Sequence, residues 1–513
     1  MATTRLTYTT GTSAELDEAF EAALAAVRAS GAEPLPHLVG GSPVTTGDTF
    51  DREDPSRCEH VASRARDGVD VVPAALARAR AAAPAWRRLP YAERCALLRG
   101  AARLIAERRV EIAAAMSMEI GKVRTEAIAE VEEAVDLIET YCGQIEEHGG
   151  FVHELGQLVA EERNRSVLRP YGVFGVIAPF NFPVALAAGM SSAALVAGNT
   201  VVLKPSEEAP RSGDALARAY LDAGIPAGVL GLVQGGPATG AALAAGDLDG
   251  IAFTGSAQVG RELGRRLAAG SYPRPVLAEM GGKNPAIVTV AADLDKAAEG
   301  IARAAFGFSG QKCSACSRAI VAAEVHDDLV ERLAALAEGY RVGDPSARDT
   351  DTGPVANVQA VERFERAVEQ ARHDGEITAG GAVLGGGGWY VAPTVVTGLE
   401  PGHPLTREEL FLPFLTVTCV RGLDEALAEA NTVPYGLTAG VFSEDADEVE
   451  RFLDEIEAGV VYVNRRAGAT TGAWPGIQSF PGWKSSGLSG KGGLGPYYVQ
   501  QFMREQSRTV VAS

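Results

Sequence analysis

Between Val173 and Val290 the chain alternates short apolar runs with stretches of helical period. The runs "VFGVIA", "TVVLK", "GVLGLVQ" and "GIAFTG" read as buried strands, and "AALAAGMSSAALVAG", "SGDALARAYLDAG", "TGAALAAG" and "VGRELGRRLAAG" as the helices joining them. Repeated β-α-β pattern predicts a parallel sheet covered by helices on both faces, with ligands beyond the carboxyl ends of the strands. Upstream, from about Val71 to Cys142, Ala, Glu, Arg and Leu dominate and apolar positions recur at helical spacing, which predicts several packed helices. The segment 151–180 then mixes β-branched and polar residues around turn signals and leads into a buried strand at Val173–Ile177. A second alternation, from "AIVTV" to "GVVYVN", predicts another α/β unit, in which the Gly-rich "TAGGAVLGGGGWY" reads as a surface turn. No tandem repeat is present.

Length and composition narrow the class. At 513 residues the chain exceeds what one core supports, so roughly two to four domains are expected. Hydrophobic residues at 46% and charged residues at 22% are ordinary for a compact globular protein. A formal charge of -19 repels phosphate backbones and anionic lipid, which leaves small molecules as the expected partners and argues against nucleic acid and membrane. The start "MATTRLTYTTGTSAELDEAF" has no basic stretch followed by an apolar one, and no run of eighteen apolar residues occurs, so the cytoplasm is the expected compartment. Six cysteines, at 58, 95, 142, 313, 316 and 419, are few and mostly far apart, as free thiols in a reducing compartment would be.

The chemistry turns on "GQKCSACSR", residues 310–318, which sets Cys313 and Cys316 three positions apart. By spacing alone such a pair is a redox dithiol, half of a zinc site, or one nucleophile with a buried neighbour. Zinc needs two further ligands at short spacing, and the other cysteines and the seven histidines offer no second C-x-x-C or H-x-x-H. No metal is therefore expected. Lys312 adjoins the first cysteine, but a side chain next in sequence points to solvent as readily as to the thiol, so it receives no role.

Six stretches lie in order along the chain: "APFNFP" (178–183), "LKPSE" (203–207), "FTGSAQVG" (253–260), "LAEMGGKNP" (277–285), "GQKCSACSR" and "EELFLPF" (408–414). Their order and spacing resemble the aldehyde dehydrogenase superfamily over nearly the whole chain. Together with "NRRAGATTGA" (464–473) and "GKGGLGPYY" (490–498), the cysteine motif is most similar to the L-glutamate γ-semialdehyde (1-pyrroline-5-carboxylate) dehydrogenases. The resemblance implies a Rossmann-like NAD-binding domain (1–148, its helical part, and 172–281), an α/β catalytic domain (282–488) and a small β oligomerisation element (149–171 and 489–513). It implies oxidation of an aldehyde to an acid through a thiohemiacetal and a thioester on the cysteine.

Residue by residue, the resemblance makes Cys313 the nucleophile, Asn181 an oxyanion donor beside the Cys313 N–H, and Glu279 the base that activates water against the thioester. It leaves Cys316 as packing. A water-activating base also disfavours release of the acyl group to a thiol carrier. For the cofactor it implies the backbone near Ile177, Pro179 and Phe180, the ribose-flanking Lys204, Ser206 and Glu207, Gly236 near the adenine, Gly255, Ser256 and Val259 at a helix N-terminus, Glu409 on the nicotinamide ribose and Phe411 against the nicotinamide. A carboxylate at Glu207 accepts ribose hydroxyls and repels a 2′-phosphate, which favours NAD over NADP. Substrate selection is expected from Ser314 and from the backbone of Gly472 and Ala473 as an anion nest. Two departures from the family pattern stand out: Leu412 replaces a small residue before Pro413, and Pro481 interrupts "SFPGWK". The hairpin-like segment 149–170 and the tail 497–513 carry strand-like edges, so a homo-oligomer is expected. A different aldehyde as substrate, and a catalytically silent binding protein on the same fold, are the rival readings. The silent protein would be expected to lack Cys313, Glu279 or Asn181, and all three are present.

Overall fold

The computed structural model describes residues 13–30, 33–466 and 474–511. Two seven-stranded sheets organise it. The first runs, by strand, 276–280, 250–255, 173–177, 200–204, 230–232, 37–39 and 42–44. Its first five strands are parallel, and 37–39 joins 230–232 antiparallel through Leu38 opposite Leu232. The four alternations read from the sequence are all present, with helices Ala185–Ala197, Pro210–Asp222, Pro237–Ala245 and Ala257–Ala268 between the strands. The helix 185–197 is apolar all round and almost wholly buried, as a central covering helix must be.

The residues 34–66 form short strands that no alternation predicted: 37–39 and 42–44 extend the first sheet, and 34–35, 49–54 and 57–66 make a three-stranded sheet of their own. The predicted helical stretch resolves into Val72–Trp86, Tyr91–Glu107, Arg109–Ile120 and Arg124–Glu147.

The second sheet runs 376–379, 394–397, 414–420, 316–322, 284–288, 438–442 and 460–463, parallel except for the edge strand 376–379. The chain leaves the first sheet at Met280 and enters the second at Asn284, so only Gly281, Gly282 and Lys283 bridge the two. The Gly-rich segment is a hairpin, Val383 and Leu384 against Tyr390 and Val391, and its Gly388 lies so close to the Pro55 and Ser56 carbonyls that no side chain fits there. A separate three-stranded sheet pairs 503–511 with 162–170, and 162–170 with 152–154, all antiparallel. Among the described residues no helix is long and apolar enough to cross a membrane.

Candidate active site

Strand register explains how distant motifs converge. In the first sheet Ile177 pairs with Lys204 on one side and Phe253 on the other, while Leu203 pairs with Leu232. The loops 178–183, 205–208, 234–236 and 255–256 therefore leave the sheet side by side at its carboxyl edge. Strand order reverses there, since 200–204 and 230–232 lie to one side of 173–177 and 250–255 to the other. Such a reversal opens a crevice between the outgoing loops.

Within the crevice, Ser256 caps the helix 257–268 by accepting from the Val259 N–H at 3.3 Å. Gly260 lets that helix sit on strand 276–280, because a Cβ there would lie 2.4 Å from the Met280 sulfur. Lys204 is buried and reaches the Glu207 carboxylate at 3.3 Å and the Pro205 carbonyl at 3.0 Å; burial lowers its pKa, against the pull of Glu207. Ser206 accepts from the Glu208 N–H at 3.2 Å, closing the turn that presents Glu207. Gly236 precedes the helix 237–245, and a Cβ on it would meet nothing within 4 Å.

Asn181 is placed by a buried ion pair. Lys122, 1% exposed, pairs with Glu130 and donates to the Asn181 carbonyl at 2.7 Å while lying over the Phe182 ring. The other Glu130 oxygen accepts from the N–H groups of Val184 and Ala185, at 2.9 and 3.2 Å, where the helix 185–197 begins. Neither residue drew attention in the sequence, where "GKVRTEAIAE" looks like any polar helix start. Leaving one charge of such a pair buried alone is costly. Lys122→Met is accordingly expected to lower stability by about 3 kcal/mol, read as an earlier urea midpoint, and to impair activity by freeing the Asn181 loop.

The loop that carries Cys313 is tied from both sides. Asn181 donates its side-chain amide to the Gln311 carbonyl at 3.0 Å, and Asn284 donates to the carbonyls of Cys313 at 2.8 Å and Ala315 at 3.0 Å. Phe308, Ser309 and Gly310 hold left-handed φ values of 50°, 52° and 67° just before it. Ser309 anchors this strained stretch by donating to Gly353 at 2.6 Å and, through its N–H, to Thr352 at 2.7 Å. At Gly310 a Cβ would lie 2.1 Å from the Leu412 carbonyl, so the loop meets the 408–414 segment backbone to backbone. Leu412 itself is buried in a cluster with Val355, Phe364 and Phe414, which absorbs its departure from the family pattern. Phe411, at φ 59°, sets its ring edge-on to Phe180 at 5.8 Å.

Cys313 is half-buried, and burial, then Glu409 and Glu279, push its thiol up to about 12, against the N–H groups of Ser314 and of Cys313 itself. Ser314 is buried, its carbonyl accepting from Thr438 at 3.4 Å. Cys316 starts the strand 316–322, 2% exposed in the apolar core. Lys312 pairs with Glu126 at 2.6 Å. Glu279 accepts from the Gly493 N–H at 2.6 Å, and burial raises its carboxyl to about 7. The next N–H, of Leu494, donates to the Tyr141 hydroxyl at 3.1 Å, so "GKGGLGPYY" works as a brace for Glu279. Glu409 accepts from Gly282 N–H at 2.9 Å and approaches Gly281 so closely that a Cβ there would lie 1.9 Å from its carboxylate. Burial raises it too, to about 7. Arg363, unread in the sequence, steadies that segment by donating to the Leu410 carbonyl at 2.7 Å. Gly472 and Ala473 lie outside the described residues. Among the described residues no group of three His, Cys, Asp or Glu side chains could hold a metal ion.

A parallel-sheet crevice for a dinucleotide, opening onto a cysteine flanked by an amide and two carboxylates, is the arrangement of a cysteine-dependent aldehyde oxidoreductase. The aldehyde dehydrogenase family pattern matches residues 44–508, and the chain belongs to that family. It is 36% identical over 503 residues, 96% of each chain, to a protein of Halalkalibacterium halodurans named 1-pyrroline-5-carboxylate dehydrogenase 1. A Thermus 1-pyrroline-5-carboxylate dehydrogenase solved with bound NAD is 34% identical and superposes with a TM-score of 0.94 over 98% of both chains. A γ-glutamyl-γ-aminobutyraldehyde dehydrogenase of Burkholderia cenocepacia is 31% identical, with a TM-score of 0.88 over 96% of this chain and 99% of that one.

Proposed function

We propose that this enzyme oxidises L-glutamate γ-semialdehyde, the open form of 1-pyrroline-5-carboxylate, to L-glutamate with NAD. The observation that carries the reading is the 36% identity spread over 96% of both chains with a relative of that name. The site's own residues fit a dinucleotide: open space at Gly236, a capped helix N-terminus at Ser256, and carboxylates at Glu207 and Glu409 for two riboses. Glu207 accepts hydroxyls and repels a 2′-phosphate, which supports NAD over NADP. NAD, when bound, takes up the hydride released by the substrate carbon.

The chain's own groups do the rest. Cys313 gives its thiol proton to solvent and its sulfur adds to the aldehyde carbon, and the oxygen that gains charge is met by the Cys313 N–H and by the Asn181 amide hydrogen not used on Gln311. Once the carbon is at the thioester level, Glu279 takes a proton from water, whose oxygen attacks the carbonyl and expels the sulfur. Ser314, with Gly472 and Ala473, is assigned to the substrate's α-carboxylate. Phe411, edge-on to Phe180 at 5.8 Å, is assigned to the nicotinamide face.

The same reading makes 1–148 with 172–281 the NAD-binding domain, 282–488 the catalytic domain, and 149–171 with 489–513 the element that pairs subunits. Exposed apolar residues in the 152–170 hairpin, Leu158 at 89% among them, support a homo-oligomer, and the cytoplasm is the assigned compartment.

A panel of aldehydes with NAD and NADP in parallel tests the substrate. The highest kcat/KM is expected for 1-pyrroline-5-carboxylate with NAD, at least about tenfold above succinic semialdehyde and γ-glutamyl-γ-aminobutyraldehyde. Preference for the latter would reassign the substrate and leave the family unchanged.

A further inference from the structure

Lys283 is the last of the three residues bridging the sheets, and its side chain has no function in the reaction as described. It is 1% exposed, and among the described residues its Nζ meets no hydrogen-bond partner. A buried ammonium without partners is rare because desolvation costs it several kcal/mol. Its backbone is fixed, since the wholly buried Arg318 donates to the Lys283 carbonyl at 3.1 Å. The Arg318 guanidinium is occupied elsewhere, on the carbonyls of Glu429 and Ala430 at 3.2 and 2.9 Å. The neighbouring Gly282 N–H holds the Glu409 carboxylate at 2.9 Å, so the 281–283 turn wraps that carboxylate.

We infer that the Lys283 ammonium keeps Glu409 ionised, which makes Lys283 a positioning residue for the nicotinamide ribose. The inference rests on the reading that Glu409 accepts the ribose hydroxyls. A neutral carboxyl accepts a hydroxyl proton far more weakly than a carboxylate, so dinucleotide binding follows the charge on Glu409. Facing Lys283 are Arg318, Glu409, Cys316 and Glu408; Arg318 and burial lower its pKa to about 7, and the other three oppose this. Facing Glu409 are Lys283 and Arg363, which favour its ionised form against burial, and Cys313 and Tyr435, whose acidities its charge lowers. With both groups near neutrality, a single positive charge decides which one carries the proton.

The sign follows directly. Removing the Lys283 charge raises the pKa of Glu409, so binding weakens at pH 7 and recovers at pH 9, where Glu409 ionises without help. NAD affinity, measured by tryptophan fluorescence quenching or calorimetry without aldehyde, tests this on the full chain. Lys283→Met is expected to weaken NAD about fivefold at pH 7 and less than about twofold at pH 9, the mark of a pKa raised by about one unit from about 7. Lys283→Gln, a milder neutral change, should behave alike and serves if the methionine variant folds poorly. Glu409→Gln should weaken NAD at every pH, and adding Lys283→Met to it should change little further. Weakening by Lys283→Met that is independent of pH, or additive with Glu409→Gln, overturns the inference. NAD binding unaltered by Glu409→Gln overturns instead the assignment of Glu409 to the ribose.

Discussion

Cys313→Ala leaves no aldehyde-dependent reduction of NAD above background, a loss on the order of 10⁴-fold or more, whereas Cys316→Ala keeps most of the activity. Initial rates at saturating NAD, with binding of NAD checked separately, measure both. The contrast rests on placement. Cys313 is half-buried at the meeting of the crevice loops, with two carboxylates and two N–H groups in range. Cys316 points into the apolar core of the second sheet, where its truncation removes packing and costs stability of about 1 kcal/mol. Because the thiol sits near 12, the protonated form is the resting one in the free protein. Slow alkylation of Cys313 at pH 7 in the cofactor-free enzyme belongs to the same expectation. Activity retained in Cys313→Ala and lost in Cys316→Ala would refute the assignment.

Glu279→Gln separates the two halves of the reaction. The first turnover needs no water-activating base, so rapid mixing is expected to show a burst of NADH of one equivalent per site. The steady state behind it falls by roughly 10²–10⁴-fold, as loss of a general base does. Wild-type turnover should carry the same residue's signature in pH. Glu279 works ionised, and burial has raised its carboxyl to about 7; the hydrolytic rate therefore climbs tenfold per pH unit below about 7 and levels above it. The variant should lack that limb. Loss of the burst together with the steady state would place Glu279 in the first half-reaction instead.

Legibility in the sequence followed the range of the interactions involved. The β-α-β alternation from 173 to 280 was readable because each strand and helix announces itself within ten or so residues. The strands 37–39 and 42–44 were not, because strands of three residues at a sheet edge have no period to display, and Leu232, with which Leu38 pairs, lies nearly two hundred positions away. The motifs named Cys313, Asn181 and Glu279 but not what holds them. Lys122 and Glu130, Asn284, Gly493 with Tyr141, and Arg363 act through single hydrogen bonds to backbone atoms as far as 353 residues away, and such bonds leave no local pattern.

By itself the sequence determined an α/β architecture and the family to which these motifs belong, since both rest on residue type, short spacing and motif order, and through that family it pointed to one of six cysteines. Only the tertiary structure decided which charges are buried and which polar atoms face one another. Burial sets the acidities of Cys313, Glu279 and Glu409 and leaves the Lys283 ammonium unpartnered, because removing a charge from water is a property of the packed surroundings and not of the residue that carries it.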